Sequence, residues 1–267
     1  MDGTTAGSGA EIDTSTPSVA RMYDYFLGGK DNFAVDRAAA DRIKAVVPDT
    51  YELVWENRRF LGRAIDHLTG LGVRQFVDIG AGLPTRGNVH EIAQRTIPDA
   101  RVVYVDNDPI VLAHGRALLA DNRTTTVIRA DLRDPGSILG HPELCDLIDF
   151  AEPVGLLLVA MVQFVPDGDD PEGLVAAYRD ALAPGSHLVL THLTDTGTDP
   201  AGRAAAEAVY AGASSPLTFR SAARIEGFFG DFELVEPGVV HACEWRPDEA
   251  ASEFRTDWLL AGVARKP

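Results

Sequence analysis

The chain is poor in cysteine, poor in positive charge and without a long apolar run, and each shortage closes off a class of explanation. Two cysteines in 267 residues, Cys145 and Cys243, are too few for a disulfide framework or a cysteine metal site. They are expected to be buried or idle thiols. Lysine and arginine number 24 against 40 aspartates and glutamates, a formal net charge of −16. That sign repels phosphate backbones and anionic headgroups over a Debye length, so neither nucleic acid nor a membrane surface is an expected partner. No apolar stretch approaches the roughly 20 residues that cross a bilayer. The opening MDGTTAGSGAEIDTSTP has neither a basic start nor an apolar signal core, and a cytoplasmic location is the expectation. HExxH spacing, a Cys/His cluster and a Walker glycine-lysine loop are also missing, so no metal is expected.

What is present suits one large α/β domain. Residues 1–16 are rich in Gly, Ser, Thr and Asp, cannot offset their ordering entropy, and read as a disordered tail. Residues 17–72 read as a helical cap, with Val19, Met22, Tyr23 and Phe26 at helical spacing and again Phe60, Leu61, Ala64, Ile65 and Leu68. Over residues 73–267, short apolar runs alternate with helical segments, the pattern of a doubly wound, mostly parallel, Rossmann-like sheet. Strands are expected at Gln75–Ile79, Val102–Asp106, Thr125–Arg129, Val154–Ala160 and His187–Thr191. Asp108-Pro109, Asp134-Pro135, Asp170-Pro171 and Asp199-Pro200 each pair an N-cap acceptor with the residue best suited to the first helical position. After a helix around Arg220–Phe229, the runs Phe232–Val240 and Trp258–Ala264 have no helix between them, so they should form an antiparallel hairpin at a sheet edge. That brings the sheet to seven strands.

The chemistry concentrates where these strands end. Gln75–Ile79 runs into Gly80-Ala81-Gly82, whose glycines let a ligand lie on the backbone, although the third glycine of a dinucleotide fingerprint is replaced by Leu83-Pro84-Thr85. The second strand closes on Asp106 and Asn107, placing a carboxylate where it can accept from both hydroxyls of a ribose; the alternative is that Asp106 only starts the following turn. The third closes on Asp131 and Leu132, suited to an adenine amino group and ring face, or else to a solvated loop. Asp78, Asp106 and Asp131 together make an acid-lined rim that favours the cationic sulfonium and ammonium of S-adenosylmethionine over a pyrophosphate. The fourth strand runs through Ala160 to Gln163, which either bonds cofactor or acceptor or satisfies a neighbouring backbone group. His192, ending the fifth strand, borders the expected acceptor pocket and would need a partner to act as a base. His90-Glu91 falls in the helix after the glycine turn.

The run Ala20-Arg21-Met22-Tyr23-Asp24-Tyr25-Phe26-Leu27-Gly28-Gly29-Lys30-Asp31-Asn32-Phe33, then Asn57-Arg58-Arg59-Phe60-Leu61 and FVDIGAGLPTRGNVHE, resembles an actinobacterial S-adenosylmethionine-dependent methyltransferase family long classed as a domain of unknown function. The resemblance covers roughly residues 17–267. It implies a class I methyltransferase fold and cofactor contacts at Asp78, Gly80, Gly82, Asp106 and Asp131. Family members typically carry histidine where this chain has Gln163, so no acid-base role is expected there. Helices ahead of the first strand are expected to close over the sheet about a Gly28-Gly29 hinge, bringing Tyr23, Lys30 and Asn32 to cofactor or acceptor. The function expected is methyl transfer to a small-molecule acceptor. The rivals are a non-catalytic protein that binds S-adenosylmethionine or S-adenosylhomocysteine, and an NAD-dependent oxidoreductase.

Overall fold

Three helices precede the first strand: α1 Val19–Phe26, α2 Ala34–Val46 and α3 Thr50–Gly70. The computed structural model describes residues 12–84, 87–119, 122–247 and 255–267, so most of the tail expected over residues 1–16 lies outside the described residues. The alternating region follows as β1 Gln75–Ile79, α4 Val89–Thr96, β2 Arg101–Asp106, α5 Pro109–Leu118, β3 Thr125–Arg129, α6 Pro135–Leu139, α7 Pro142–Leu147, β4 Gly155–Val159, α8 Pro171–Asp180 and β5 His187–Leu193. Then come α9 Pro200–Tyr210, α10 Ala222–Gly227, β6 Glu233–Leu234, β7 Val240–His241 and β8 Leu259–Arg265.

Each aspartate-proline pair starts a helix. The carboxylates of Asp108, Asp134, Asp170 and Asp199 accept from the backbone N–H of Ile110, Ser137, Gly173 and Gly202, with proline at the first helical turn every time. Parallel pairing joins β1 to β2 and β4, β2 to β3, and β4 to β5, giving the order β3-β2-β1-β4-β5-β8-β6. The last strand, β8, runs antiparallel to β5 and β6, and β7 also pairs with it. The sheet therefore has eight strands, where seven were expected. The run Phe232–Val240 breaks into two short strands because Pro237, which has no N–H to give a ladder, sits in a turn closed by Gly238 at φ +90°.

Strand alternation sorts the core. Val77, Ile79, Val103, Val105, Leu156 and Leu158 face one side, with α6, α7, α8 and α10 against them. Phe76, Val102, Leu157 and Val189 face the other, covered by α4 and by the Phe60, Leu61, Ala64, Ile65 and Leu68 stripe of α3. Each large side chain in that stripe contributes roughly 1.5–3 kcal/mol by leaving water. Asp78 and Asp106 keep the parity of Phe76 and Val102, so both carboxylates emerge on the side that α3 covers. Cys145 is exposed in α7 and Cys243 half-buried in a short 3-10 turn, so neither is a core thiol. Among the described residues no helix is long and apolar enough to cross a membrane.

Candidate functional site

The carboxyl ends of β1, β2 and β4 open into a cavity of about 650 Å³ roofed by α1, α2, α3 and α9. This size falls in the roughly 300–1,000 Å³ range of small-molecule sites. Of the expected residues, Tyr23, Asp78, Gly80, Ala81, Gly82, Asp106, Asn107, Ala160 and Gln163 line it. Asp131 and Leu132 do not; they line a smaller adjoining pocket that shares Gly80, Asp106, Asn107, Met161 and Phe164 with the first. The ends of β1, β2 and β4 thus converge on one cleft, while that of β3 bounds the smaller pocket beside it.

The glycine turn is built by β2. Gly80 and Ala81 donate their N–H groups to Val105 O at 2.7 and 3.2 Å. Gly82 donates to Asp106 Oδ2 at 2.9 Å, and Asp108 to Asp106 Oδ1 at 2.9 Å. Asp106 therefore does serve the turn, as its alternative reading held, while each of its oxygens keeps a lone pair for a further donor. Gly80 has φ +79°, and a Cβ there would lie 2.1 Å from Met161 Sδ; Gly82, at φ +66°, would meet nothing within 4 Å. The first glycine lets the backbone pass under Met161, and the second leaves the cradle open.

Burial governs the electrostatics. Asp78 is 7% exposed and accepts no hydrogen bond among the described residues; desolvation pushes its carboxyl up to about 7, with the Arg58 guanidinium pulling the other way. Asp106 is pushed up to about 6, again chiefly by burial. Asp131 behaves oppositely. It is gripped by the N–H, Nε and Nη2 of Arg133 at 2.9, 3.0 and 2.7 Å, which hold it down to about 2. Asp78, buried without a hydrogen-bond donor, and Asp106, held by backbone donors alone, lie beside a bare glycine backbone and leave room there for a cationic group and for further donors.

A chain of hydrogen bonds ties the roof to the floor. Ala160, held at φ +57° where β4 leaves the sheet, donates its N–H to Thr191 Oγ1 at 2.8 Å. The Thr191 hydroxyl donates to Asn57 Oδ1 at 2.7 Å, and Asn57 Nδ2 donates to the Tyr23 hydroxyl at 2.8 Å. The phenol faces Val54 O at 3.4 Å, and burial raises its pKa. Asn57, Arg58 and Thr191 were assigned no role from sequence, although the first two lie in the quoted Asn57-Arg58-Arg59 run. The polar character of Asn57 and Arg58 on the apolar stripe of α3 is the available signal; Thr191, inside β5, offers none.

Other expectations shift. Gln163 Oε1 accepts from Leu193 N–H at 3.3 Å while its backbone carbonyl accepts from Thr218, so its backbone-satisfying reading holds at one end of the amide. His192 does not border the cavity. It is fully buried on the opposite face of β5, its Nε2 taking a hydrogen bond from Arg220 Nη1 at 2.8 Å and its Nδ1 lying 2.7 Å from Leu193 O. Burial drives its pKa down to about 3, so it cannot serve as the base. The Arg220 guanidinium also holds Val162 O, Val165 O and Asp167, pinning the turn after β4 from beneath. His90 is buried in α4 with its ring on the Tyr104 hydroxyl, and Glu91 accepts from Gly87 and Asn88 at the helix start.

The glycine pair of α1 is no free hinge. Gly28, at φ +77°, ends the helix, and a Cβ on Gly29 would fall 1.9 Å from Asp24 Oδ1. Asp24 Oδ2 also accepts from Asp31 N and Asn32 Nδ2, so the signature loop is tied to its own helix. Neither Lys30 nor Asn32 reaches the cavity. The segment before α1 does, through Ile12, Asp13 and Thr16. It is latched where Ser18 Oγ donates to Asp108 Oδ2 at 2.8 Å and where the buried Arg21 joins Asp36 at 2.8 Å and Thr16 O at 2.7 Å.

Comparisons with known proteins agree with this geometry. A family model described as S-adenosyl methyltransferase matches residues 5–267. A crystal structure of a candidate methyltransferase from Thermobifida fusca YX is 47% identical, with a TM-score of 0.90, 95% of this chain and 96% of that one being covered. A DUF574 family protein from Streptomyces avermitilis MA-4680 is 42% identical, with a TM-score of 0.92 and coverage of 96% and 100%. An O-methyltransferase family 2 protein from Planctomyces limnophilus, 14% identical with a TM-score of 0.50 over 88% of this chain and 66% of that one, shares the fold. No curated protein matches the chain.

Proposed function

The chain belongs to the S-adenosyl methyltransferase family, and from that premise we propose that it methylates a small-molecule acceptor held in the same cavity as the methyl donor. S-adenosylmethionine, the donor, supplies a methyl group on a positively charged sulfur. Support for the pose comes from the donor set itself. Asp78 and Asp106 are buried, raised in pKa and on one wall, which suits a cationic group at Asp78 and hydroxyl donors at Asp106. This pair is the observation that carries the reading.

In this assignment Asp106 accepts from the ribose hydroxyls with the lone pairs left over from Gly82 and Asp108, and Asn107 lies beside it. Asp131 and Leu132 bound the adenine side of the adjoining pocket. Asp78 faces the ammonium, and Arg58, bonded through Nη2 to Gly87 O at 2.7 Å, offers its remaining donors to the carboxylate. Gly80, Ala81 and Gly82 give the backbone surface between them, with Ala160, Gln163 and Tyr23 closing the acceptor side. The roof keeps water from the reacting centre, and the Thr191-Asn57-Tyr23 chain holds it in register, so positioning supplies the acceleration. Calorimetry tests the pose. S-adenosylmethionine and S-adenosylhomocysteine are expected to bind and NAD not to; measurable NAD binding without the other two would overturn it.

A further inference from the structure

The cavity is larger than the strand-end rim and changes character away from it. Beyond Tyr23 its wall is made by Phe26 of α1, Ile43 of α2, Ala206 and Tyr210 of α9, and Phe219 and Trp258 from the loops before α10 and β8. The aromatic members are arranged as pairs: Phe164 and Tyr210 with ring centroids 5.6 Å apart, Phe219 and Trp258 edge-on at 5.8 Å. Such walls give an aromatic guest edge and face contacts worth about 0.5–1.5 kcal/mol per ring pair beyond burial.

The titratable lining is just as selective. Among the described residues it consists of Asp13, Arg21, Tyr23, Arg58, Asp78, Asp106, Asp108, Arg129 and Tyr210, with no histidine, lysine, cysteine or glutamate. The acids and arginines belong to the strand ends and the turns after them, to the segment around α1's start and, for Arg58, to α3. Only two phenols, Tyr23 and Tyr210, face the aromatic compartment, and burial raises both, so neither removes a proton near neutral pH. The Tyr210 hydroxyl has no hydrogen bond to the described residues and is free to meet a ligand. His192, the nearest imidazole by sequence, is sealed behind β5.

From this compartment we infer that the acceptor is a ring-bearing amine, taken up in its uncharged form, that attacks through its neutral nitrogen and needs no base from the protein. The inference rests on the methyltransferase reading of the same cavity. An apolar wall disfavours an ammonium, so desolvation itself strips the amine's proton to water as the guest enters. The nitrogen lone pair forms the new N–C bond while the methyl carbon's bond to sulfur breaks, its electron pair staying on sulfur as a neutral thioether. The methylated ammonium returns its extra proton to bulk water on leaving. An alcohol in the same place would arrive protonated and, with Asp78 and Asp106 engaged by the methyl donor, find no group to take its proton.

Three probes with one ring system separate the possibilities: 1-naphthylmethylamine, 1-naphthylmethanol and 1-naphthoic acid. Each is titrated by calorimetry into full-length protein saturated with S-adenosylhomocysteine, then incubated with deuteriomethyl-labelled S-adenosylmethionine and read by mass spectrometry. The amine and alcohol are expected to bind, the acid at least tenfold more weakly, and label is expected on the amine at ten times the alcohol rate or more. Ala206→Trp should abolish naphthyl binding while leaving S-adenosylhomocysteine binding unchanged, with Leu217→Trp, at a neighbouring position of the same wall, as the second variant if the first fails to fold. Binding of S-adenosylhomocysteine with no naphthyl binding, or naphthyl binding unmoved by either tryptophan, overturns the aromatic compartment. Labelling of the alcohol as fast as the amine, or of neither, overturns the nitrogen acceptor. Absence of S-adenosylhomocysteine binding would instead sink the reading of the cavity on which the inference stands.

Discussion

Replacing Asp78 by asparagine is expected to make the ligand-free protein more stable, and increasingly so as pH rises. The side chain is 7% exposed and its carboxyl is raised from 3.8 to about 7 in the folded state. The folded protein therefore keeps a proton that the unfolded chain releases above 3.8, so stability falls with pH between those values and the loss is complete above about 7. Asparagine mimics the protonated form at every pH. Between pH 5 and pH 8 the variant's advantage should grow by about two pH units' worth, or about 3 kcal/mol at 1.36 kcal/mol each. Urea unfolding of wild type and Asp78→Asn at the two pH values, without cofactor, measures this directly. Calorimetry on the same samples should show at least a tenfold loss of S-adenosylmethionine affinity in the variant. An advantage that is flat or shrinks from pH 5 to pH 8 would refute the claim that this carboxylate is buried without a hydrogen-bond donor and kept for a cation.

Other perturbations follow from the same geometry. Gly80→Ala forces a Cβ against Met161 at φ +79°, and urea unfolding should register a loss of roughly 2–4 kcal/mol with weakened cofactor binding by calorimetry. His192 has a folded pKa depressed to about 3 from 6.5, so wild-type stability is lost as pH falls below 6.5. In His192→Gln that acid loss between pH 6.5 and pH 4 should be shallower by roughly 3 kcal/mol, and an unchanged slope would contradict the burial. Asn57→Ala orphans both Thr191 and Tyr23 and should cost about 2–4 kcal/mol, and a double-mutant cycle with Tyr23→Phe should show coupling of at least about 0.5 kcal/mol. Additive effects would mean that the roof and the sheet are not joined through Asn57.

Much of this architecture was legible before any coordinates. Asp108, Asp134, Asp170 and Asp199, each followed by proline, are local signals whose meaning needs no tertiary context, and with the apolar runs between them they fixed the βα phase and the strand ends at Asp78 and Asp106. What misled was orientation across a distance. His192 ends a strand that is buried on both faces, so its position said nothing of which side it would serve, and Arg220, 28 residues away, claimed it. The grip of Arg133 on Asp131 is not legible in the sequence, because it depends on a turn that residue types alone do not define. Gly28-Gly29 looked like a hinge, yet Gly29 is demanded by the close approach of Asp24. The aromatic compartment escaped notice because its walls come from Phe26, Tyr210, Phe219 and Trp258, far apart in the chain and ordinary one at a time.

The Ala160-Thr191-Asn57-Tyr23 chain carries a lesson for descent. Three side chains from α1, α3 and β5 satisfy one another in sequence, so a lineage that exchanges any one leaves a donor or acceptor stranded in the interior until its neighbour changes too. These positions should vary as a set among relatives, and a homologue that has replaced all three at once would mark a different way of closing the same chamber.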